Sequence, residues 1–113
     1  MSNTQNLQID QGIDYSREMT VYDMNKNVFQ LNGYTGKAHI KKSFTSPTFV
    51  AFTVTVTDAP NGRMKISLTH LQTEALTAGN YVYDIYIKNF NGSSYKIVDG
   101  IISVIQSVTK YSA

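Results

Sequence analysis

The chain of 113 residues has no cysteine, no tryptophan, two histidines, two prolines and no long apolar run. Each absence excludes something. Without Cys there is neither a disulfide framework nor a thiolate ligand or nucleophile. The two histidines, His39 and His70, stand far apart. A zinc site needs three or four ligands at tight local spacing, which no His-x-His, His-x3-His or Cys pair supplies. No segment approaches the roughly 18 apolar residues of a membrane helix, and the polar start, Met1 to Asn6, lacks the charged-then-apolar layout of a signal peptide. Charge is scarce too: charged residues make up 16%, against about 25% in ordinary soluble domains. The net charge of +2 comes from ten basic and eight acidic residues, with Lys41-Lys42 the sole basic pair. A nucleic-acid binder carries a denser basic stripe. The seven glycines are scattered singly, so no phosphate-cradling glycine loop exists.

What is present is short-range alternation. In Thr48 to Thr57, Phe52, Val54 and Val56 fall on one side and Thr53, Thr55 and Thr57 on the other, the pattern of a half-buried strand. Asp58-Ala59-Pro60-Asn61-Gly62 turns the chain. Met64, Ile66 and Leu68 then alternate with polar neighbours, completing a β-hairpin. Thr69 and Gln72 have the spacing of a capping box, which predicts a two-turn helix over Thr69 to Leu76. It is expected to bury Leu71, Ala75 and Leu76, stop at Gly79 and close one end of the core. Asn80 to Lys88 predicts a central strand with bulk on both faces. Asn91-Gly92 is a second hairpin turn, Tyr95 to Val98 a strand, Asp99-Gly100 a turn or bulge, and Ile101 to Val108 the last strand. Leu7 to Ile9, Glu18 to Asp23 and Tyr34 to Lys42 are further strands. Turn signals recur about every ten residues, as in an all-β, immunoglobulin-like antiparallel sandwich of seven to eight strands with one short helix. One domain fills residues 1–113, with 1–6 and 111–113 flexible or ordered only by neighbours.

Catalysis needs groups that can be gathered and tuned, and no such constellation stands out, so the chain reads as a binding module and not an enzyme. His39 and His70 read as surface residues, Asp58 and Asp99 as turn residues and Glu74 as the exposed side of the helix. Asp84, mid-strand among aromatics, reads as an acceptor of backbone or tyrosine hydrogen bonds, or else as a general acid or base of raised pKa. Asp10 and Asp14 offer two oxygen ligands but no calcium-loop spacing. No catalytic residue, metal or cofactor is expected. Tyr81, Tyr83, Tyr86 and Tyr95 either pack in the core and at a protein interface or form a platform for sugars. Together with Asp10 and Asp14 they are the candidate interaction residues.

Three segments carry a family likeness. Leu31-Asn32-Gly33-Tyr34-Thr35-Gly36-Lys37-Ala38-His39-Ile40-Lys41-Lys42-Ser43 resembles the L-x-G-Y-x-x-x-A-x-I-(R/K)-K-S stretch of small tailed-bacteriophage virion proteins. Gly79-Asn80-Tyr81-Val82-Tyr83-Asp84-Ile85 is similar to their G-x-Y-x-Y-D-(I/V) strand. Asp99-Gly100-Ile101-Ile102-Ser103-Val104, with Val108-Thr109-Lys110, resembles their ending. The resemblance spans Ile9 to Lys110. It implies a structural component of a phage particle, in the tail, baseplate, neck or connector, located in the virion after synthesis in the host cytoplasm. The partners it implies are other virion proteins and copies of itself in a symmetric ring, with no nucleic acid and no membrane. The alternative is a carbohydrate-binding or adhesive β-sandwich module.

Overall fold

The computed structural model describes residues 3–108. It contains eight strands: β1 (Asn3–Thr4), β2 (Leu7–Asp10), β3 (Tyr15–Thr20), β4 (Tyr34–Lys41), β5 (Val50–Asp58), β6 (Arg63–Leu68), β7 (Gly79–Asn89) and β8 (Ser94–Ile105). One short helix, α1 (His70–Ala75), lies between β6 and β7. The strands form one hydrogen-bonded path, β1-β8-β7-β4-β5-β6-β3, with β2 also on β8. All pairs are antiparallel except β1 and β2, which run parallel to β8.

The path curls at β5. Its first residues, Val50 to Phe52, pair with β4, and Thr53 onward pairs with β6. The curl brings β3 opposite β7, close enough that Tyr15 and Arg17 act electrostatically on Tyr83. Between the two halves lies one core. Ile9, Ile40, Met64, Ile66, Ile85, Ile87 and Ile102 are at most 1% exposed. Each such side chain is worth about 1.5–3 kcal/mol of burial.

The β5–β6 hairpin and the capping box follow the sequence expectation. Asp58 leads into a single 3-10 turn, Ala59–Asn61, and Gly62 takes the left-handed conformation with φ 67°. The Thr69 side chain accepts from the Gln72 amide while the Gln72 side chain accepts from the Thr69 amide.

Several expectations need correction. The helix buries Thr73 and Leu76, whereas Leu71 is 62% exposed and Ala75 is exposed. A polar anchor explains this: Thr73 Oγ1 donates to the Ile13 carbonyl at 2.8 Å and accepts from the Gly12 amide at 3.0 Å. These bonds turn the threonine, not the leucine, inward. The strand expected at Glu18 to Asp23 lies earlier, at Tyr15–Thr20, because its register against β6 pairs Met19 with Met64. Asp99-Gly100 does not interrupt the chain, for β8 runs straight through it. The irregularity sits instead opposite Ile85/Tyr86, where both Ile97 and Val98 face the core. A Cβ on Gly100 would lie 2.1 Å from the Gln5 carbonyl oxygen, so this glycine makes room for the link between β1 and β2. Residues 3–6 make contacts within this chain. Asn3 and Thr4 pair with Val98 and Asp99, and the Gln5 amide donates to Asp99. Residues 1–2 and 109–113, including Thr109-Lys110 of the family-like ending, lie outside the described residues.

Candidate functional site

Side chains directly across a strand pair share a face, so the register of β4, β7 and β8 defines the outer surface row by row. Lys41 lies beside Val82 and Ile101; His39 beside Asp84 and Asp99; Lys37 beside Tyr86 and Lys96; Thr35 beside Lys88 and Ser94. The other side of the same strands carries Ala38, Ile40, Tyr83, Ile85 and Ile87, all in the core. Alternation along the three strands therefore sends four lysines to one open face.

A shallow cavity of ≈ 410 Å³ lies on that face, lined among others by Lys37, His39, Lys41, Phe44, Tyr86 and Lys88. Phe44 comes from the β4–β5 loop and is 81% exposed. Phe49, from the end of that loop, stacks on His39 with ring centroids 3.8 Å apart. A second cavity, ≈ 530 Å³, opens between β8 and the end of β3, with Met19, Tyr22, Met24 and Ile97 in its lining.

The four candidate tyrosines do not form one platform. Tyr83 is buried, 3% exposed, and its hydroxyl donates to the Gln5 carbonyl at 2.6 Å. Burial pushes its pKa up to about 12, with Tyr15 adding to the shift and Arg17 opposing it. Burial raises Tyr15 as well, again against Arg17. Tyr81 faces inward too, donates to the Thr77 carbonyl and carries the Lys42 ammonium 4.6 Å from its ring centre. Tyr95 pairs with Ile87 and joins Phe29 and Tyr34 in an edge-packed trio. Tyr86 alone among them faces outward.

Asp10 and Asp14 do not converge on a ligand. Asp10 is exposed at the end of β2, opposite Ile105. Asp14 Oδ1 accepts from the His70 amide at 2.7 Å and meets His70 Nδ1 at 3.0 Å. These contacts hold the Asp14 carboxyl below the usual carboxylate range, and they tie the start of α1 to the β2–β3 link. No group of three or more His, Asp or Glu side chains suited to a metal ion occurs among the described residues.

Asp84 differs from its expectation. It sits on a central strand whose backbone is engaged by β4 and β8, and its carboxylate receives no backbone or tyrosine hydrogen bond among the described residues. Asp99 faces it directly, a like-charge pairing that is unfavourable. Asp99 is compensated by Lys96 at 3.5 Å and by the Thr4 hydroxyl at 3.0 Å. Sequence reasoning passed over Lys37, Lys41, Lys88 and Phe44. The alternation placing Lys37, His39 and Lys41 on one side was readable, but their neighbours on β7, Tyr86, Asp84 and Val82, depend on a pairing between distant parts of the chain.

No family model and no curated protein matches the chain. Among solved structures, the chain is similar to an internalin-like protein of Listeria monocytogenes, at TM-score 0.41 and 14% identity over 91% of this chain and 29% of that one. It is also similar to a family 123 glycoside hydrolase from Clostridium perfringens, at TM-score 0.42 and 13% identity over 94% of this chain and 23% of that one. The chain thus spans less than a third of either protein. Likeness of this size carries no argument about activity.

Proposed function

We propose that this chain is a non-catalytic docking module with an immunoglobulin-like β-sandwich, serving as a structural subunit of a tailed-phage virion. Its place there is the tail, baseplate, neck or connector, packed against other virion proteins and against copies of itself in a ring.

One observation carries the reading. The three segments that resemble phage virion proteins coincide with β4, β7 and β8, which are consecutive neighbours in the sheet. Most of their apolar positions are absorbed by the core: Leu31, Ala38, Ile40, Tyr83, Ile85, Ile102 and Val104 are all buried. Gly36 is absorbed as well, since a Cβ there would lie 2.4 Å from Val54 Cγ1. Lys41 and Asp84 stay outside the core, while Lys42 lies over the Tyr81 ring and Ser43 bonds Ser46 in the β4–β5 loop. A sandwich is consistent with the strand path. Folding it at β5 sets β3, β6 and the second part of β5 against β4, β7 and β8, with the shared core between. The glycan-binding alternative is less well supported, because Tyr83 is buried and the exposed Tyr86 and Tyr95 lie on opposite sides of the sheet.

The test is the composition of intact particles. Quantitative mass spectrometry of virions from cells that produce this chain is expected to find it in many copies per particle. Its absence from purified particles, while present in the lysate, overturns the reading.

A further inference from the structure

The outer face of β4, β7 and β8 differs from that of β3, β6 and β5 in how many cations it gathers. On the latter, Lys65 stands in register with Glu18, without an ion pair, and the exposed side of β5 offers Thr53, Thr55 and Thr57. On the former, Lys37, Lys41 and Lys88 have no carboxylate within ion-pair distance among the described residues, and only Lys96 is paired, with Asp99. Three unmatched cations, one outward tyrosine and an exposed Phe44 thus surround one shallow cavity.

Row spacing points to the shape of what covers it. Successive rows lie two residues apart along the strands, about 6.8 Å. From the Lys41 row to the Lys88 row is three such steps, roughly 20 Å. Alternate side chains of an extended peptide have the same spacing, so carboxylates at every second or fourth position can meet successive lysines. Where two carboxylates stand four apart, as Lys41 and Lys37 require, the side chain midway between them faces the same way, and Phe44 and Val82 supply apolar surface for it.

We propose that this face seats an extended acidic segment of another protein, its alternate carboxylates meeting Lys37, Lys41 and Lys88 and an apolar side chain lying against Phe44. The proposal rests on the docking reading above and names the partner's chemistry. A nucleic acid fits less well, because its charge recurs at every nucleotide and would meet Asp84 and Asp99 in the row between Lys41 and Lys37, where a peptide can place an uncharged side chain. A neutral glycan makes no use of three ammonium groups. A second copy of this chain offers carboxylates four apart at Asp10, Asp14 and Glu18, but a turn follows Asp10 and Asp14 is held by His70, so the three do not lie along one extended strand.

The experiment is an amide chemical-shift titration of the full chain with the synthetic peptide Glu-Thr-Phe-Thr-Glu-Thr-Glu, whose alternate side chains match the rows of Lys41, Asp84, Lys37 and Lys88. Parallel titrations use the same peptide with Gln for Glu, a short oligothymidylate and a chondroitin sulfate oligosaccharide. Saturable shifts confined to residues 35–44 and 82–88 are expected with the Glu peptide only. They should weaken at least tenfold in the K37E/K41E variant, stay unchanged in K65E, and fade as salt shortens the screening length. The two replaced lysines are outside the core, so the variant keeps its fold, which its own spectrum verifies. No shifts on this face at ~1 mM peptide overturn the proposal, as do equal or larger shifts with the Gln peptide, the oligonucleotide or the glycan. Shifts on dilution of the chain alone also overturn it, in favour of self-association. The titration needs no particle, so its failure leaves the virion reading standing, and absence from virions leaves the titration standing.

Discussion

The phenol of Tyr83 on β7 donates a 2.6 Å hydrogen bond to the backbone carbonyl of Gln5, between β1 and β2. Residues 78 positions apart are thereby joined across the sheet's parallel edge, and the bond lies where the Gln5 carbonyl also passes over Gly100. Tyr83→Phe removes the donor and leaves the carbonyl short of a partner. A loss of about 1–2 kcal/mol at neutral pH is expected, read from urea midpoints.

The same tyrosine gives the protein an alkaline limit. Its folded pKa, about 12, lies above the ordinary 10.0. Folding therefore favours the neutral phenol. The contribution is whole below pH 10 and is lost as pH rises toward 12, by roughly 2–3 kcal/mol in all. Wild-type stability should fall over that window, and the fall should be visibly shallower in Tyr83→Phe.

Gly100→Ala tests the crossing itself. With a Cβ 2.1 Å from the Gln5 oxygen, backbone must move, and the least anchored backbone is β1. A cost of about 1–3 kcal/mol is expected, with faster hydrogen exchange at the amides that pair β1 and β8. Unchanged protection at the Gln5 amide would refute the account.

Thr73 is the one buried polar residue among those described, and besides meeting the His70 carbonyl of its own helix it serves two backbone groups of the β2–β3 link, the Gly12 amide and the Ile13 carbonyl. Thr73→Val keeps the shape and strands both groups, at about 1–3 kcal/mol for each. Thr73→Ser keeps the hydroxyl. Thermal denaturation should place the serine variant near wild type and the valine variant well below it.

Asp14 sets the acid behaviour of the same corner. Its carboxyl is held low first by the hydrogen bond to the His70 side chain and then by that to the His70 amide. A depressed folded pKa means stability that is present above the ordinary 3.8 and is lost as pH falls through the lowered value. Asp14→Asn keeps an acceptor and discards the titration. Its acid unfolding curve should be flatter below pH 3.8, and the protection factor of the His70 amide, after correction for intrinsic exchange, should no longer change with pH there.

The sequence foretold the parts governed by neighbours along the chain. The β5–β6 hairpin was legible because Asn61-Gly62 and the Val54/Val56 alternation are local, and so was α1's start, since Thr69 and Gln72 are three apart. What failed depends on distant partners. Gly100 looks like a turn until the Gln5 carbonyl is laid across it. Leu71 looks like core until Thr73 finds Gly12 and Ile13. Tyr81, Tyr83 and Tyr86 alternate in plain view, but which parity faces inward is decided by β4 and β8. The lysine face was invisible for the same reason, being assembled from strands whose adjacency no local pattern states.

The parallel pairing of β2 with β8, Leu7 with Ile102 through Asp10 with Ile105, bears on how the molecule carries load. Traction between Asn3 and Ile105 slides the first strands lengthwise past the last one. The rungs of that ladder are then strained together and must yield together. Gripped at Thr20 and Arg63, adjacent ends of the antiparallel β3–β6 pair, the sheet instead peels one rung at a time. Single-molecule pulling through the first pair of points should demand the greater force, so the fold is a coupling stiff along one axis and yielding along another.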